Sequence, residues 1–357
     1  MKNIRVMIVD SNVTARRQLA SLLATKPELE ILGSAANPKI ALLKIPLLRP
    51  DILILDVSDP RTIGVEGLDM IKKNHKNLPI IVFSVGLHKG SMASLDVLFL
   101  GADDYVSKPD NEGDKEAMND AINDLVSKIK AIVVSKKTSP AADQEILPKL
   151  MDLKRFHMNK NVDIIVIGAS TGGPKVLTNI LEKLPENFSV PVLIVQHMLA
   201  NFTSHFVQSL NRRTKIEVRE GVSGAPVNAA HVWIAPGDRH MRLRVEDGEV
   251  KIQLDQTMAE NSCRPAVDVL FRSCAEIYGA NVLGIILTGM GQDGKSGAAK
   301  IRQKGGAIFA QDKNSSVVWG MPGLVVKEGL ADGVMNPEEI TEVLLKDIHQ
   351  TSKVYGV

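Results

Sequence analysis

The chain has 357 residues, and its 43 Lys plus Arg nearly balance its 41 Asp plus Glu, which leaves a formal net charge of +2. This balance predicts neither a nucleic-acid partner nor a charge-driven membrane partner, and no apolar run reaches the roughly 18 residues that a membrane-spanning helix needs. The two cysteines, Cys263 and Cys274, are too few for a disulfide framework or a zinc site, so we expect both in or near the core. The first strand-like segment carries Arg5 and Asp10 and does not read as a signal peptide. We therefore expect a cytoplasmic protein without membrane insertion, long enough for two domains.

Residues 1 to 130 alternate short apolar strands with helical patterns, and we assign them to a first domain. Such alternation predicts an α/β fold with a doubly wound parallel sheet of the flavodoxin-like type. Because the strands of such a sheet run in parallel, their carboxyl ends share the edge where sites form. The predicted strands are residues 4–9, 31–35, 52–55, 79–84 and 104–106.

Polar residues stand at the ends of these predicted strands. Asp10 follows the first and Asp56 the third, Ser84 ends the fourth, and Tyr105 and Lys108 lie at the fifth. Two carboxylates can hold a hard cation through oxygen ligands, and a lysine with a hydroxyl can bind a phosphoryl group. A single Asp at a strand end is more often a helix cap. All five positions together favour a phosphoryl site.

With these positions the first domain resembles the receiver domain of bacterial response regulators. The resemblance implies that Asp56 accepts a phosphoryl group and that Asp10 and Asp56 hold Mg²⁺. It also implies that Ser84 and Lys108 sense the phosphoryl group and that Tyr105 is the aromatic switch. The peptide bond after Lys108, which precedes a proline, is usually cis in that family.

Two departures from the receiver pattern concern the metal. Receivers carry two adjacent acidic residues after the first strand, whereas Ser11 follows Asp10 here. The loop after Asp56 is longer than the family pattern and carries Asp59 where methionine is typical. Two alternatives stay open: Asp59 supplies the missing carboxylate, or the receiver binds Mg²⁺ weakly and is phosphorylated poorly or not at all.

Residues 131 to 160 form the predicted linker, in which residues 135–142 are polar with a proline and residues 149–160 are basic with scattered apolar residues. We expect the last helix of the first domain to run into it and to give way to a partly ordered tether. Its positive charge is either a solvated face or a surface that docks the two domains or an acidic partner.

Residues 161 to 350 again alternate strands and helices and form the predicted second domain. A β-rich middle interrupts the alternation, and the Asp247-Gly248 pair predicts a β-hairpin there. We therefore expect a mostly parallel α/β sheet with a hairpin. A helix is predicted after Pro265, with Asn261-Ser262 as its candidate N-cap.

A strand, turn and helix open this second domain. The apolar strand breaks at Gly168, and Gly168, Ser170 and Gly172 fit the G-x-S-x-G pattern, in which small residues let a tight turn expose a hydroxyl. Glycine-rich turns also bind dinucleotides, but that site needs an acidic residue at the end of the next strand, where His197 stands. His197 instead suits a general base that faces Ser170. Asp293, which follows another apolar run, is the candidate carboxylate that orients the imidazole.

The segments around these residues resemble the CheB family of chemotaxis protein-glutamate methylesterases. That family joins a receiver to an esterase domain in this order, so the resemblance covers nearly the whole chain. It rests on the motifs Gly168-Ala-Ser-Thr-Gly-Gly-Pro174, Gln196-His197-Met198 and Thr288-Gly-Met-Gly-Gln-Asp-Gly294. It implies a triad of Ser170, His197 and Asp293, with an oxyanion hole that includes the Met290 N–H and is helped by Thr171.

The same resemblance implies a reaction and its partners. The enzyme would hydrolyse glutamyl methyl esters, and deamidate glutamines, on methyl-accepting chemotaxis receptors, with no cofactor in the esterase domain. The chemotaxis histidine kinase CheA would be the phosphodonor. In the family the unphosphorylated receiver covers the esterase site, and phosphorylation shifts the population toward an open form.

Three alternatives compete with this interpretation. His240 is a rival base, although the Pro-Gly-Asp frame before it favours a binding or structural role. A dinucleotide-binding oxidoreductase would use the glycine-rich turn at Ser170. A non-catalytic signalling adaptor would have lost both sites, and Ser11 lends this some weight for the receiver.

Overall fold

The computed structural model describes residues 3–57, 64–85, 98, 100–109, 111, 114–137 and 161–349. The chain divides into two compact units, residues 1–138 and 139–357. The predicted linker begins inside a helix that ends at Lys137, and its residues 138–160 lie outside the described residues, as does Asp59. Within the described parts of the chain, no helix combines the length and apolar character that crossing a bilayer requires.

The first unit is built on a five-stranded sheet. Its strands are β1 (Ile4–Val9), β2 (Leu29–Ala35), β3 (Ile52–Leu55), β4 (Ile80–Val85) and β5 (Asp104–Lys108). Its described helices are α1 (Val13–Ala24), α2 (Pro38–Leu48), α3 (Gly64–Asn74) and α4 (Lys115–Lys137). The strands pair in parallel in the order β2-β1-β3-β4-β5. Every residue of β3 is buried, as expected for a parallel strand covered on both faces, and the parallel strand order confirms the predicted doubly wound fold.

A short turn carries the chain from β1 into α1. The Asn12 side chain accepts hydrogen bonds from the N–H groups of Thr14 and Ala15, at 2.9 and 3.1 Å, and so caps the helix. The Asn12 N–H donates to the Asp10 carboxylate at 2.7 Å. The turn therefore fixes the Asp10 side chain at the carboxyl end of β1.

The second unit is built on a seven-stranded sheet and a hairpin. Its strands are β6 (Ile164–Ala169), β7 (Val192–Gln196), β8 (Glu217–Glu220), β9 (His231–Ile234), β10 (His240–Glu246), β11 (Glu249–Asp255), β12 (Val282–Ile286), β13 (Ala307–Gln311) and β14 (Gly333–Met335). Its helices are α5 (Gly173–Leu181), α6 (Ala200–Asn211), α7 (Val267–Tyr278), α8 (Lys295–Gln303), α9 (Met321–Lys327) and α10 (Pro337–Val343), followed by a π-helical turn, Leu344–His349. The parallel sheet has the order β14-β13-β12-β6-β7-β9-β8. Strands β10 and β11 form a separate antiparallel pair, so the predicted parallel sheet with a hairpin is confirmed.

Strand β6 lies in the middle of the large sheet, between β7 and β12. All six of its residues are buried. Helix α7 packs so closely on it that a Cβ atom at Gly168 would lie 2.5 Å from Val267 Cγ1. Because β6, β7 and β12 are parallel, Ser170, His197 and Thr288, which lie one or two residues beyond the ends of these strands, share one edge of the sheet.

Candidate active site

Ser170 lies on the tight turn between β6 and α5. Gly172 on this turn has a φ of 80°, a conformation that glycine adopts without strain. The Ser170 N–H donates to the Thr288 carbonyl at 3.0 Å, and the Gln196 side-chain amide donates to the Ser170 carbonyl at 3.0 Å. The backbone of Ser170 is therefore tied to the ends of both neighbouring strands.

His197 follows the last residue of β7 and stands at the same edge. Its N–H donates to the Ala169 carbonyl at 3.0 Å, which places the imidazole beside the Ser170 turn. The ring is largely buried, and its Nε2 atom lies 2.8 Å from Asp293 Oδ2. Two of the predicted triad members, 96 residues apart in the chain, are thus in direct contact.

The Asp293 carboxylate is buried and accepts hydrogen bonds from every side. Besides the His197 ring, the donors are Val267 N–H to Oδ2 at 2.7 Å and, to Oδ1, Asp268 N–H at 3.0 Å, Gly294 N–H at 3.0 Å and Asn261 Nδ2 at 3.1 Å. Two of these N–H groups belong to the first turn of α7, so Asp293 caps this helix from a distant loop. The predicted Asn261-Ser262 cap is wrong: the helix begins at Val267 without a side-chain bond from its own N-cap residue.

The charges of His197 and Asp293 support each other. Burial alone would raise the pKa of Asp293, but the bond and charge of His197 and the backbone N–H groups of Asp268 and Val267 outweigh it and lower that pKa. Burial would lower the pKa of His197, but the hydrogen bonds and charges of Asp293 and Cys263 raise it to about 9. Asp293 therefore stays ionised and stabilises a protonated imidazole.

The second ring nitrogen of His197 faces a cysteine. Because Nε2 is bound to Asp293, Nδ1 is left to accept a proton, and Cys263 Sγ lies 3.6 Å from it. Within the described structure, Ser170 Oγ forms no hydrogen bond with this ring. The donor atoms of His197, Cys263 and Asp293 lie within 4.8 Å of one another, close enough for a metal, but the oxygens of Asp293 are already occupied by hydrogen bonds. Sequence reasoning placed Cys263 merely in or near the core and missed this contact.

The loop after β12 lies against Ser170. A Cβ atom at Gly289 would be 2.9 Å from Ser170 Cβ, so the 289–290 peptide passes directly beside the serine. Gly289 is fixed through its N–H, which donates to the Val318 carbonyl at 3.0 Å. The Met290 N–H donates to no acceptor within the described residues, and the Thr171 carbonyl accepts the Thr288 hydroxyl at 2.9 Å. An unused N–H beside Ser170 is what an oxyanion hole requires.

His240, the rival base, is fully buried in another environment. Its Nε2 lies 3.0 Å from the Met258 carbonyl, and its Nδ1 accepts the Ala266 N–H at 3.2 Å. Both ring nitrogens therefore hold backbone segments beside the start of α7, which is a structural role.

The predicted phosphoryl site of the first unit also comes together. Lys108 Nζ lies 3.2 Å from Asp10 Oδ2 and donates a hydrogen bond to Asp56 Oδ2, and all three side chains are buried. Burial, opposed by Lys108 and reinforced by Asp56, raises the pKa of Asp10. Ser84 is buried at the end of the neighbouring strand β4.

Tyr105 lies beside this site on β5, where its ring centroid is 5.4 Å from Lys128 Nζ. The implied cis bond after Lys108 is not found; the cis X–Pro bond of the described residues is Arg264–Pro265. Asp10 and Asp56 fit Mg²⁺, which proteins hold through one or two carboxylates together with water and phosphate. Ser11 adds no charge to this pair.

These observations define a class of protein: a receiver-type unit with two buried carboxylates at its sheet edge, followed by an α/β unit with a hydrolase-like Ser, His and Asp at one sheet edge. The family described as CheB methylesterase matches residues 165–344, and the family described as response regulator receiver domain matches residues 6–141. The chain therefore belongs to the CheB methylesterase family, as a chemotaxis methylesterase/glutaminase with a receiver domain, and the predictions of this family and of an enzyme are confirmed.

Relatives of full length share this organisation. A protein of Trichodesmium erythraeum named protein-glutamate methylesterase/protein-glutamine glutaminase is 42% identical over 98% of this chain and 100% of its own length. A protein of the same name from a Nocardioides species is 39% identical over 97% of this chain and 96% of its own. The crystal structure of the Thermotoga maritima CheB methylesterase catalytic domain is 42% identical, covers 52% of this chain and 99% of that one, and superposes with a TM-score of 0.51. The oxidoreductase alternative is excluded by this membership.

Proposed function

We propose that Ser170, His197 and Asp293 form a catalytic triad that hydrolyses glutamyl methyl esters on methyl-accepting chemotaxis receptors and deamidates glutamines at such sites. The observation that carries this proposal is the 2.8 Å contact between His197 Nε2 and a buried, ionised Asp293, which leaves Nδ1 of the neutral ring as a base at the edge where Ser170 lies. Because the pKa of His197 is raised to about 9, the neutral ring becomes the major form only above that pH, and we expect activity to rise with pH up to that value. Such a base, oriented by a carboxylate, activates a neighbouring hydroxyl.

The reaction then proceeds in two steps. Ser170 Oγ attacks the ester carbonyl while His197 Nδ1 takes its proton, and the oxyanion is stabilised by the Met290 N–H with help from Thr171. The protonated His197 returns the proton to the leaving oxygen, and methanol departs. Water, activated by the same imidazole, releases the glutamate and restores the Ser170 hydroxyl. With a glutamine side chain, ammonia leaves in place of methanol.

Substrate binding must first bring Ser170 and His197 together. Cys263 Sγ lies 3.6 Å from Nδ1, on the side of the ring that the serine hydroxyl must reach. Catalytic hydrogen bonds often tighten only in the complex with substrate, so we expect Ser170 Oγ to take this position when the ester binds.

We also propose that the receiver unit regulates the esterase. Asp56 would accept a phosphoryl group from the chemotaxis histidine kinase CheA, and Lys108 and Ser84 would bind its oxygens. Asp10 and Asp56 would hold Mg²⁺, which screens the phosphoryl charge when bound. The buried contact of Lys108 with both carboxylates supports this role, because a new group on Asp56 must displace it.

Methanol release from methylated chemoreceptor membranes tests both proposals. Wild type and Ser170→Ala are compared, each with and without Mg²⁺ and a small phosphodonor. Release by wild type alone supports the triad, and stimulation by the donor supports phosphorylation despite Ser11. A rate of methanol release that is the same with and without the phosphodonor would contradict the regulatory proposal but not the esterase proposal. If neither protein releases methanol, the chain acts on receptors without this chemistry, as the adaptor alternative requires.

A further inference from the structure

A four-residue turn lies against the buried end of the candidate triad. The Glu260 and Cys263 backbones pair with each other at 2.9 and 3.1 Å, and the two residues between them, Asn261 and Ser262, have φ values of 54° and 62°. Glu260 is held to α7 by Arg272 through two hydrogen bonds of 2.7 and 2.5 Å. Positive φ at both central positions is the geometry of a tight two-residue turn, which asparagine tolerates well.

This turn aims the Asn261 amide at two carboxylates. Asn261 is exposed at the surface, yet its Nδ2 atom donates to Asp293 Oδ1 at 3.1 Å and to Asp268 Oδ2 at 2.9 Å. An amide nitrogen carries two protons, so it can serve both acceptors at once. The other donors to Asp293 Oδ1 are backbone N–H groups, which leaves Asn261 as the side-chain donor on that oxygen within the described structure.

Asp268 makes the bridge necessary. Its carboxylate is buried beside Asp293, and its Oδ1 accepts the Gly297 N–H of α8 at 2.6 Å. Burial, and after it the charge of Asp293, raises the pKa of Asp268. Two buried carboxylates repel each other, and a donor that bonds to both offsets part of that repulsion. Without Asn261, we expect this repulsion to move the Asp293 carboxylate away from Asp268 or to favour a proton on one of the two carboxylates.

We infer that Asn261 is a positioning residue of the active site, whose amide joins Asp293 to Asp268 and so holds the Asp293 carboxylate on His197 Nε2. The inference rests on the proposed esterase function, since it assigns Asn261 to the same triad. Nothing in this role requires Asn261 to contact the substrate. Its effect passes through Asp293 to the base.

Two substitutions separate the amide from the turn. Asn261→Gly keeps the positive φ, which glycine adopts freely, and removes the amide. Asn261→Asp keeps the shape but puts a third carboxylate beside Asp268 and Asp293, and such a group can donate only while it holds a proton. Ser262→Gly is the matched control, because it makes the same backbone change one residue along and its exposed side chain forms no hydrogen bond in the described structure.

The experiment measures the rate at which a fluorophosphonate labels Ser170 in the full chain, from about pH 6.5 to about pH 9.5. This probe requires an activated serine and no receptor. We expect Asn261→Gly to label roughly 10- to 100-fold more slowly, as a misplaced catalytic group does, and Ser262→Gly to label at the wild-type rate. The labelling rate of Asn261→Asp, relative to wild type, should fall further as the pH rises. A loss of structure alone would lower this relative rate equally at every pH. Several titratable or charged groups surround this site and contribute to the pH dependence of the labelling rate. They are His197, Cys263, Glu260, Arg272, Asp268 and Asp293.

Each outcome bears on the inference. Equal labelling of wild type and Asn261→Gly, with equal thermal unfolding, overturns it, because water would then replace the amide without loss. Slow labelling of Ser262→Gly as well would assign the effect to the turn backbone and also overturns it. If the wild type itself is not labelled at Ser170, the proposed esterase fails and the inference falls with it. Labelling without methanol release from receptors would overturn the proposed substrate only.

Discussion

Replacing Asp293 with asparagine tests the electrostatics of the proposed triad. The change keeps the shape of the side chain and removes its charge, so His197 loses the group that fixes its tautomer. We expect kcat to fall by roughly 10³- to 10⁴-fold. The pKa of His197, raised from 6.5 to about 9, corresponds to ~3 kcal/mol in favour of the folded protein with a protonated ring. Because burial opposes this rise and Cys263 adds to it, ~3 kcal/mol is the net effect of the surroundings of the ring and not the contribution of Asp293 alone.

The pH dependence of stability has a definite sign. A pKa raised on folding stabilises the protein fully below the unfolded value of 6.5, and this stabilisation disappears as the pH rises through about 9. The free energies of unfolding of wild type and Asp293→Asn should therefore differ more at about pH 6 than at about pH 9.5. The substitution should also lower the free energy of unfolding by an amount that does not depend on pH. The NH₂ group of the asparagine would face backbone N–H groups that donate to Asp293 in the wild type, and two donors cannot bond to each other. In kcat/KM, the acidic limb should move to lower pH as the pKa of His197 falls.

Urea titrations followed by tryptophan fluorescence measure this difference. Both tryptophans of the chain, Trp233 and Trp319, lie in the second unit, so the signal reports on that unit alone. Asp332→Asn is the control, because the Asp332 carboxylate pairs with Arg302 instead of a histidine. A difference between wild type and Asp293→Asn that is the same at both pH values, or an acidic limb that does not move, would show that Asp293 does not raise the pKa of His197.

Three further predictions concern the thiols and the receiver. Iodoacetamide should alkylate Cys263, which is partly exposed, before Cys274, which is buried and whose thiol pKa is raised by burial; it should also inactivate the esterase. Peptide mass mapping checks the order, and prior loss of Cys274 would contradict it. Removal of residues 1–155 should increase basal methanol release if the receiver inhibits the esterase, and an unchanged rate would argue against such inhibition. Asp56→Asn should abolish any stimulation by a phosphodonor, and stimulation that persists would place phosphorylation elsewhere.

Much of the fold could be predicted from local sequence. The buried apolar runs such as Ile164–Ala169 are too short for helices, and they alternate with helical patterns, so a parallel sheet was the expected arrangement. The turn at Asp247-Gly248 could likewise be predicted, because an Asp-Gly pair favours the positive φ values that a two-residue hairpin turn needs. The two residues adopt φ values of 54° and 80°. Parallel strands end at one edge, which is why strand-end residues as distant as Ser170 and His197 could be expected to lie near each other.

The details of the site depend on contacts between distant parts of the chain. An Asn-Ser pair shortly before a helix is a common local N-cap, yet the start of α7 is capped by Asp293, which lies 25 residues beyond the second N–H that it accepts. Because Asn261 does not cap α7, its amide can bond to both Asp268 and Asp293. The same turn places Cys263 Sγ beside Nδ1 of His197. Lys108 similarly lies between Asp10 and Asp56, which are 98 and 52 residues away in sequence.

Local sequence was therefore enough to predict which elements form and which functional groups stand at the strand ends, because periodicity and turn chemistry act over a few residues. It could not predict which nitrogen of His197 binds Asp293, which side chain faces the other nitrogen, or which residue caps α7. Each of these depends on competition for hydrogen-bond partners inside a packed site. The competition is settled by the positions of loops far apart in the chain.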